Sequence, residues 1–145
     1  MKKWLCMLVC CLSVYVQAQV WTLKEKEPAA PGTWWCFRNT VTLEELPRSL
    51  ELRLAADTKY WLWVNGELQV SEGGLKRGPN PSDTYCDVIT SLPALRAGEN
   101  TVALLVWYFG KDGFSHRNSP TAGISFSLFC DGKEVEPDAK WRVKK

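Results

Sequence analysis

The sequence predicts an all-β domain built from two antiparallel sheets, and three observations carry that expectation. Apolar residues recur with period two in several windows, whereas no stretch of a dozen residues holds the i, i+3, i+4, i+7 stripe of an amphipathic helix. Asn65-Gly66 and Asp131-Gly132 are dipeptides that two-residue hairpins favour. Two windows, one around Tyr60-Trp61-Leu62-Trp63-Val64 and one around Val102 to Phe109, are apolar on both sides, as a sheet covered on both faces requires.

Taken in chain order, Phe37 to Leu43 is a weak strand. Leu50, Leu52 and Leu54 then alternate with Glu51, Arg53 and Ala55 as a half-solvated strand. In the next strand Tyr60, Leu62 and Val64 share the core side and Trp61 and Trp63 the outer side, with a hairpin turn at Asn65-Gly66. Breakers from Glu72 to Pro81 predict a long loop. Between Asp87 and Asn100 there is room for a short helical turn, Ser91 to Arg96, with Gly98 placed to end it. Ile124, Phe126, Leu128 and Cys130 form the last strand before Asp131-Gly132. Short strands with regular turn signals and no long helix read as a sandwich.

The first residues are set apart from this pattern. Lys2 and Lys3 precede an apolar run from Trp4 to Val16, and Val16-Gln17-Ala18 carries the small residues of a signal-peptidase site. The run is too short to span a bilayer. Residues 1–18 are therefore expected to be a secretory leader, 19–32 a linker or arm, and 33–145 the sandwich, in a periplasmic or extracellular setting. Without the leader the chain has 16 basic and 16 acidic residues, a balance that gives no reason to expect nucleic acid or an anionic membrane as partner. Of the six cysteines only Cys36, Cys86 and Cys130 remain. One disulfide at most can form among them, and small, buried core thiols are the default expectation.

Chemistry-bearing motifs are sparse. Glycoside hydrolysis needs two carboxyl groups across a sugar bond, and nothing singles out a pair among the 16 acids. His116 is the one histidine, and Ser115 beside it points away in an extended segment, so no Ser–His couple follows from adjacency. One histidine and three scattered cysteines do not make a zinc site, calcium stays open on the loop oxygens of Asp83, Asp87 and Asp112 although no Asp-rich loop pattern singles them out, and Gly73-Gly74 with Gly78 lacks the strand-to-helix junction of a phosphate loop. Accordingly no catalytic residue, metal or cofactor is assigned. Aromatics are more informative: Trp34, Trp35, Trp61, Trp63, Trp107 and Trp141 either fill a core or interface, or stack on sugar faces. The loop after Trp107 carries polar groups and an aromatic. The candidate carbohydrate-binding residues are therefore Trp107, Asp112, Phe114, His116, Arg117 and Asn118, and Trp61 and Trp63 are candidates for a domain interface.

The order of motifs resembles the N-terminal β-sandwich domain of bacterial α-L-rhamnosidases, glycoside hydrolase family 78. The matching residues are Trp35-Cys36-Phe37-Arg38, Ala56 to Gly66, Arg77-Gly78-Pro79, Tyr85-Cys86-Asp87-Val88, Gly98-Glu99-Asn100 and Val106-Trp107-Tyr108-Phe109-Gly110, spread over about residues 33 to 143. Arg-Gly-Pro followed by Trp-Tyr-Phe-Gly is the discriminating combination. The resemblance implies a galactose-binding-like jelly-roll that leads a longer enzyme whose acid and base carboxylates sit on a later helical barrel. Asp138 to Val143 would be the handover point, so no catalytic residue carries across. The resulting expectation is a non-catalytic accessory domain, truncated or packed on a catalytic domain or other partner protein. The alternative is a free-standing carbohydrate-binding module for rhamnose-containing or other plant-type glycans, and an independent hydrolase is the least supported reading.

Overall fold

The computed structural model describes residues 29–75, 86–114, 116, 118 and 122–145. The expected leader at 1–18, the linker up to residue 28 and the Arg77-Gly78-Pro79 motif lie outside the described residues. Nine strands are described: β1 Thr33–Leu43, β2 Leu50–Asp57, β3 Lys59–Val64, β4 Glu67–Gly74, β5 Asp87–Ile89, β6 Gly98–Tyr108, β7 Gly123–Cys130, β8 Lys133–Val135 and β9 Arg142–Lys144. They form a five-stranded sheet in the order β4-β3-β6-β1-β9 and a four-stranded sheet in the order β5-β2-β7-β8. Every pairing is antiparallel. No helix among the described residues is long and apolar enough to cross a membrane.

Side-chain alternation explains how the two sheets close on each other. Phe37, Val41 and Leu43 of β1, Tyr60, Leu62 and Val64 of β3 and Val102, Leu104 and Val106 of β6 all turn inward. They meet Leu52 and Leu54 of β2 and Ile124 and Leu128 of β7. Each such side chain contributes roughly 1.5–3 kcal/mol by leaving water. The polar end of Tyr60 is also satisfied, because its hydroxyl donates to Asp87 Oδ2 at 2.8 Å, and that oxygen also accepts the Gly74 amide at 2.8 Å. Burial, reinforced by the Asp87 carboxylate, pushes the Tyr60 phenol far above its ordinary range, so it stays a neutral donor tying β3 to the β4–β5 region.

Both sequence-predicted hairpins are present. Asn65 and Gly66 adopt φ of 52° and 86°, and Asp131 and Gly132 adopt 50° and 77°, the two successive positive values of a type I′ turn. The Asn65 side chain also reaches across the end of the sandwich. Its Nδ2 donates to Ala94 O at 2.7 Å and to Asn100 Oδ1 at 2.9 Å, while its Oδ1 accepts the Thr101 amide at 2.9 Å. Asn100 is fully buried, and it returns donors to the Arg96 and Gly98 carbonyls at 2.8 and 3.0 Å. The Asn-Gly turn and the Gly-Glu-Asn turn therefore form one buried hydrogen-bonded knot.

Asp131 anchors the other hairpin. Its carboxylate accepts the Ser49 amide at 2.9 Å and the Arg48 amide at 3.0 Å. These backbone donors, Ser49 first, hold the Asp131 carboxyl below the usual carboxylate range. A carboxyl depressed in the folded state stabilises at neutral pH, and that contribution fades as pH falls through the ordinary aspartate range near about 4 and below. Asp131→Asn, which keeps one acceptor and tolerates positive φ, is expected to lower Tm at pH 7 and to converge on wild type in acid. A Tm gap that does not narrow with falling pH would contradict the assignment.

Four expectations are corrected. β1 starts at Thr33, four residues before Phe37, and brings Trp34 and Cys36 into the sheet. Residues Ser91 to Arg96 form no helix; the Leu95 amide closes one turn on Leu92 O at 3.0 Å, and Gly98 opens β6 instead of ending a helix. Glu72 to Gly74 belong to β4, where register shifts between Tyr60 and Leu62 and again before Trp63 absorb the breakers. Among the described residues no disulfide joins the cysteines and none of them is fully buried: Cys36 is exposed, and Cys86 and Cys130 are half-buried, Cys130 packed against the core. Cys36 is exposed because it alternates with inward-facing Trp35 and Phe37.

Candidate binding face on the five-stranded sheet

Residues directly opposite each other in antiparallel strands share a face, so the registers define the outer surface of the five-stranded sheet row by row. One row is Lys59, Trp107 and Trp34, and the next is Trp61, Leu105, Cys36 and Lys144. A third is Leu68, Trp63, Ala103, Arg38 and Arg142. No described element covers this face. Trp34 is 43% exposed and Leu68 51% exposed, and Trp61, Trp63, Leu105 and Trp107 are half-buried.

The aromatic rings form a continuous chain on that face. Trp34 stacks on Trp107 with centroids 5.1 Å apart and planes 9° apart, and tilts against Trp61 at 5.6 Å. Trp107 meets the edge of Phe109 at 4.6 Å, and Phe109 meets His116 edge-on at 5.3 Å. Offset and edge contacts of this kind add about 0.5–1.5 kcal/mol each, enough to fix the rings as a firm surface. A cleft of about 440 Å³ opens where the chain of rings leaves the sheet, lined by Pro31, Gly32, Trp107, Phe109 and Lys111. This is the size of pocket small ligands occupy.

The wall opposite Trp107 is made by the segment before β1. The Gly32 amide donates to Tyr108 O at 3.0 Å, Thr33 Oγ1 donates to Ala30 O at 2.8 Å, and Ala29 reaches the core. Gly110 permits this approach: its φ is +69°, and a Cβ there would stand 2.6 Å from Pro31 Cα. Gly110→Ala is expected to push the Pro31 wall outward and to destabilise by about 1–3 kcal/mol. Thermal unfolding together with a shift in tryptophan emission checks this, and an unchanged Tm would show that the wall is not held at Gly110.

The structure brings together some of the sequence-predicted site residues and separates others. Trp107 lies at the centre of the aromatic chain, and His116 joins its end, with Nε2 3.1 Å from Lys111 O. Asp112 and Asn118 clasp the loop, the Asn118 amide donating to Asp112 Oδ1 at 2.9 Å, while Asn118 Oδ1 is buried with no hydrogen-bond partner among the described residues. Phe114 stands fully exposed. Arg117 lies outside the described residues. Trp61 and Trp63 lie on the outer face of β3, two residues apart, and Trp61 is continuous with the cluster through Trp34. Among the described residues no group of three or more His, Cys, Asp and Glu side chains could hold a metal ion.

Phe109, Lys111 and the Pro31-Gly32 wall were not foreseen, and Trp34, named among the tryptophans that fill a core or stack on sugars, was not placed at the site. Trp34 could have been found by extending the β1 alternation backwards through Trp35 and Phe37.

No protein-family model matches the chain, and no curated protein sequence matches it. Solved structures do. A family 78 rhamnosidase of Bacillus sp. GL1 superposes with a TM-score of 0.72 at 30% identity, over 84% of this chain and 13% of that one. The α-L-rhamnosidase of Streptomyces avermitilis, solved with L-rhamnose, gives 0.56 at 25% identity, over 83% of this chain and 11% of that one. The fold is that of a domain of family 78 α-L-rhamnosidases. This rhamnosidase-type sandwich thus spans a small part of those enzymes' length. Its two-sheet architecture is shared more distantly with a Pleurotus ostreatus lectin solved with GalNAc, at a TM-score of 0.52 and 20% identity over 85% of this chain and 34% of the lectin.

Proposed function

We propose that the chain acts as an exported, non-catalytic accessory domain in glycan degradation, holding a rhamnose-containing or other plant-type glycan against the aromatic end of its five-stranded sheet. The observation that carries this reading is the stacked Trp34–Trp107 pair opening, with Phe109, on a cleft of about 440 Å³. Indole and phenyl surfaces of this kind receive the C–H faces of sugars, and the Lys111 side chain and nearby backbone groups supply polar contacts. Several aspartates hold structural hydrogen bonds within the domain. Asp87 is committed to Tyr60 and Gly74, Asp131 to Arg48 and Ser49, Asp138 to Thr42, and Asp112 to Asn118.

A second reading rests on a different observation. Trp61, Trp63, Leu105 and Leu68 form an uncovered apolar surface on the same sheet, and such a surface also suits packing against a catalytic domain or partner protein. Titrating the purified domain with rhamnose-containing glycans and following tryptophan emission separates the two. Saturable quenching at millimolar sugar or below is expected. A flat titration together with unaltered retention on polysaccharide gels would exclude glycan binding and leave the partner surface.

A further inference from the structure

The rows of the outer face are chemically lopsided. Toward β3 and β6 they carry Trp61, Trp63, Leu105 and Trp107; on the β1–β9 side the first row ends in Trp34, and the second and third end in Lys144 and in Arg38 and Arg142. All three cations are exposed, and none is in an ion pair among the described residues, where the only ion pairs are Arg53–Glu51 and Lys59–Glu72. No acid occupies any of the three rows. The acids placed on this face are Glu72, held by Lys59 at the opposite edge, and, beyond the third row, Glu99, which faces Thr42, and Asp138, whose carboxylate accepts the Thr42 hydroxyl and amide. An unscreened trio of cations beside an indole lane is complementary to a ligand that is both apolar-faced and anionic.

Resting on the glycan reading above, we infer that the outer face of the five-stranded sheet takes an acidic oligosaccharide, with sugar rings on the indole lane and uronic-acid carboxylates on Arg38, Arg142 and Lys144. Strand spacing sets the size of the ligand. Strands lie about 4.8 Å apart, so Arg38 is roughly 10 Å from Trp63 and Lys144 roughly 14 Å from Trp61. A single sugar cannot touch both margins.

The test compares an oligogalacturonate with its carboxyl-reduced, neutral counterpart, titrated into the full chain at low salt and in about 0.3 M NaCl. The acidic form is expected to bind roughly tenfold tighter at low salt, with the difference shrinking as salt screens the exposed cations. The triple variant R38Q/R142Q/K144Q, whose changes are confined to exposed positions, should keep the wild-type Tm and bind the two forms equally. Equal binding by the wild type, or an acidic preference that survives in the triple variant, would overturn the inference. Poly-L-glutamate binding as tightly as the oligogalacturonate would also overturn it, in favour of an acidic protein partner. Absence of binding by both forms in a chain that still binds a neutral rhamnose-containing glycan would likewise overturn the inference, and absence of binding by all three would remove the glycan reading itself.

Discussion

Replacing Asn100 by leucine is expected to destabilise the domain by about 3–5 kcal/mol, more than any surface change described here. Leucine keeps the heavy-atom branching of asparagine but is bulkier, so the loss comes from hydrogen bonding, with crowding added, and not from a cavity. The Asn100 Oδ1 accepts from Asn65 Nδ2 and from the Arg96 amide, both at 2.9 Å, and its Nδ2 serves the Arg96 and Gly98 carbonyls. Removing it leaves these groups without partners at a fully buried position, where each unsatisfied group costs about 1–3 kcal/mol. Chemical denaturation reads the effect directly. Asn65→Ala should cost less, because part of its side chain is in contact with water, and the double variant should be less destabilised than the sum of the two singles, since both belong to one network. A loss below about 1 kcal/mol for Asn100→Leu would show that the knot is dispensable.

Trp107→Ala is expected to weaken glycan binding by roughly thirty-fold or more, the effect of removing about 2 kcal/mol from a central aromatic anchor. Trp107 is the ring shared by the Trp34 stack, the Phe109 edge and the cleft wall, so its removal frees Trp34 and opens the cleft at once. Trp107→Phe retains a ring face and should lose much less. Phe114→Ala is a useful contrast: that side chain is fully exposed and has no ring partner among the described residues. If Trp107→Ala and Phe114→Ala weaken binding equally, the ligand sits on the loop and not on the sheet.

Much of this fold was legible in the sequence because its signals are local. The type I′ turns at Asn65-Gly66 and Asp131-Gly132 follow from residues that tolerate positive φ, and the inward phase of Tyr60, Leu62 and Val64 follows from period two alone. What was missed depends on contacts distant in sequence. Leu92 and Leu95 mimic a helical spacing, but Asn100 takes the Arg96 amide and carbonyl out of any continuing helix. β1 was legible only as a weak strand, because Asn39 sits in its inward phase, and that polar side chain is satisfied by Ala139 O at 2.7 Å, supplied by a residue 100 positions later. The site shows the same division. Trp107 was legible as an outward tryptophan ahead of a polar loop, but its stacking on Trp34 needed the β1–β6 register, and the cleft needed the close approach of Pro31 to Gly110.

Indole N–H resonances of the 15N-labelled protein, followed during titration with a rhamnose-containing oligosaccharide, test the central claim most directly. The signals of Trp34, Trp107 and Trp61 should move together along one saturable isotherm. Trp141, which packs on Phe126 at 5.3 Å away from the aromatic lane, should stay in place. Perturbation confined to Trp141, or no perturbation at sugar concentrations that saturate retention on polysaccharide gels, would contradict a glycan site on the five-stranded sheet.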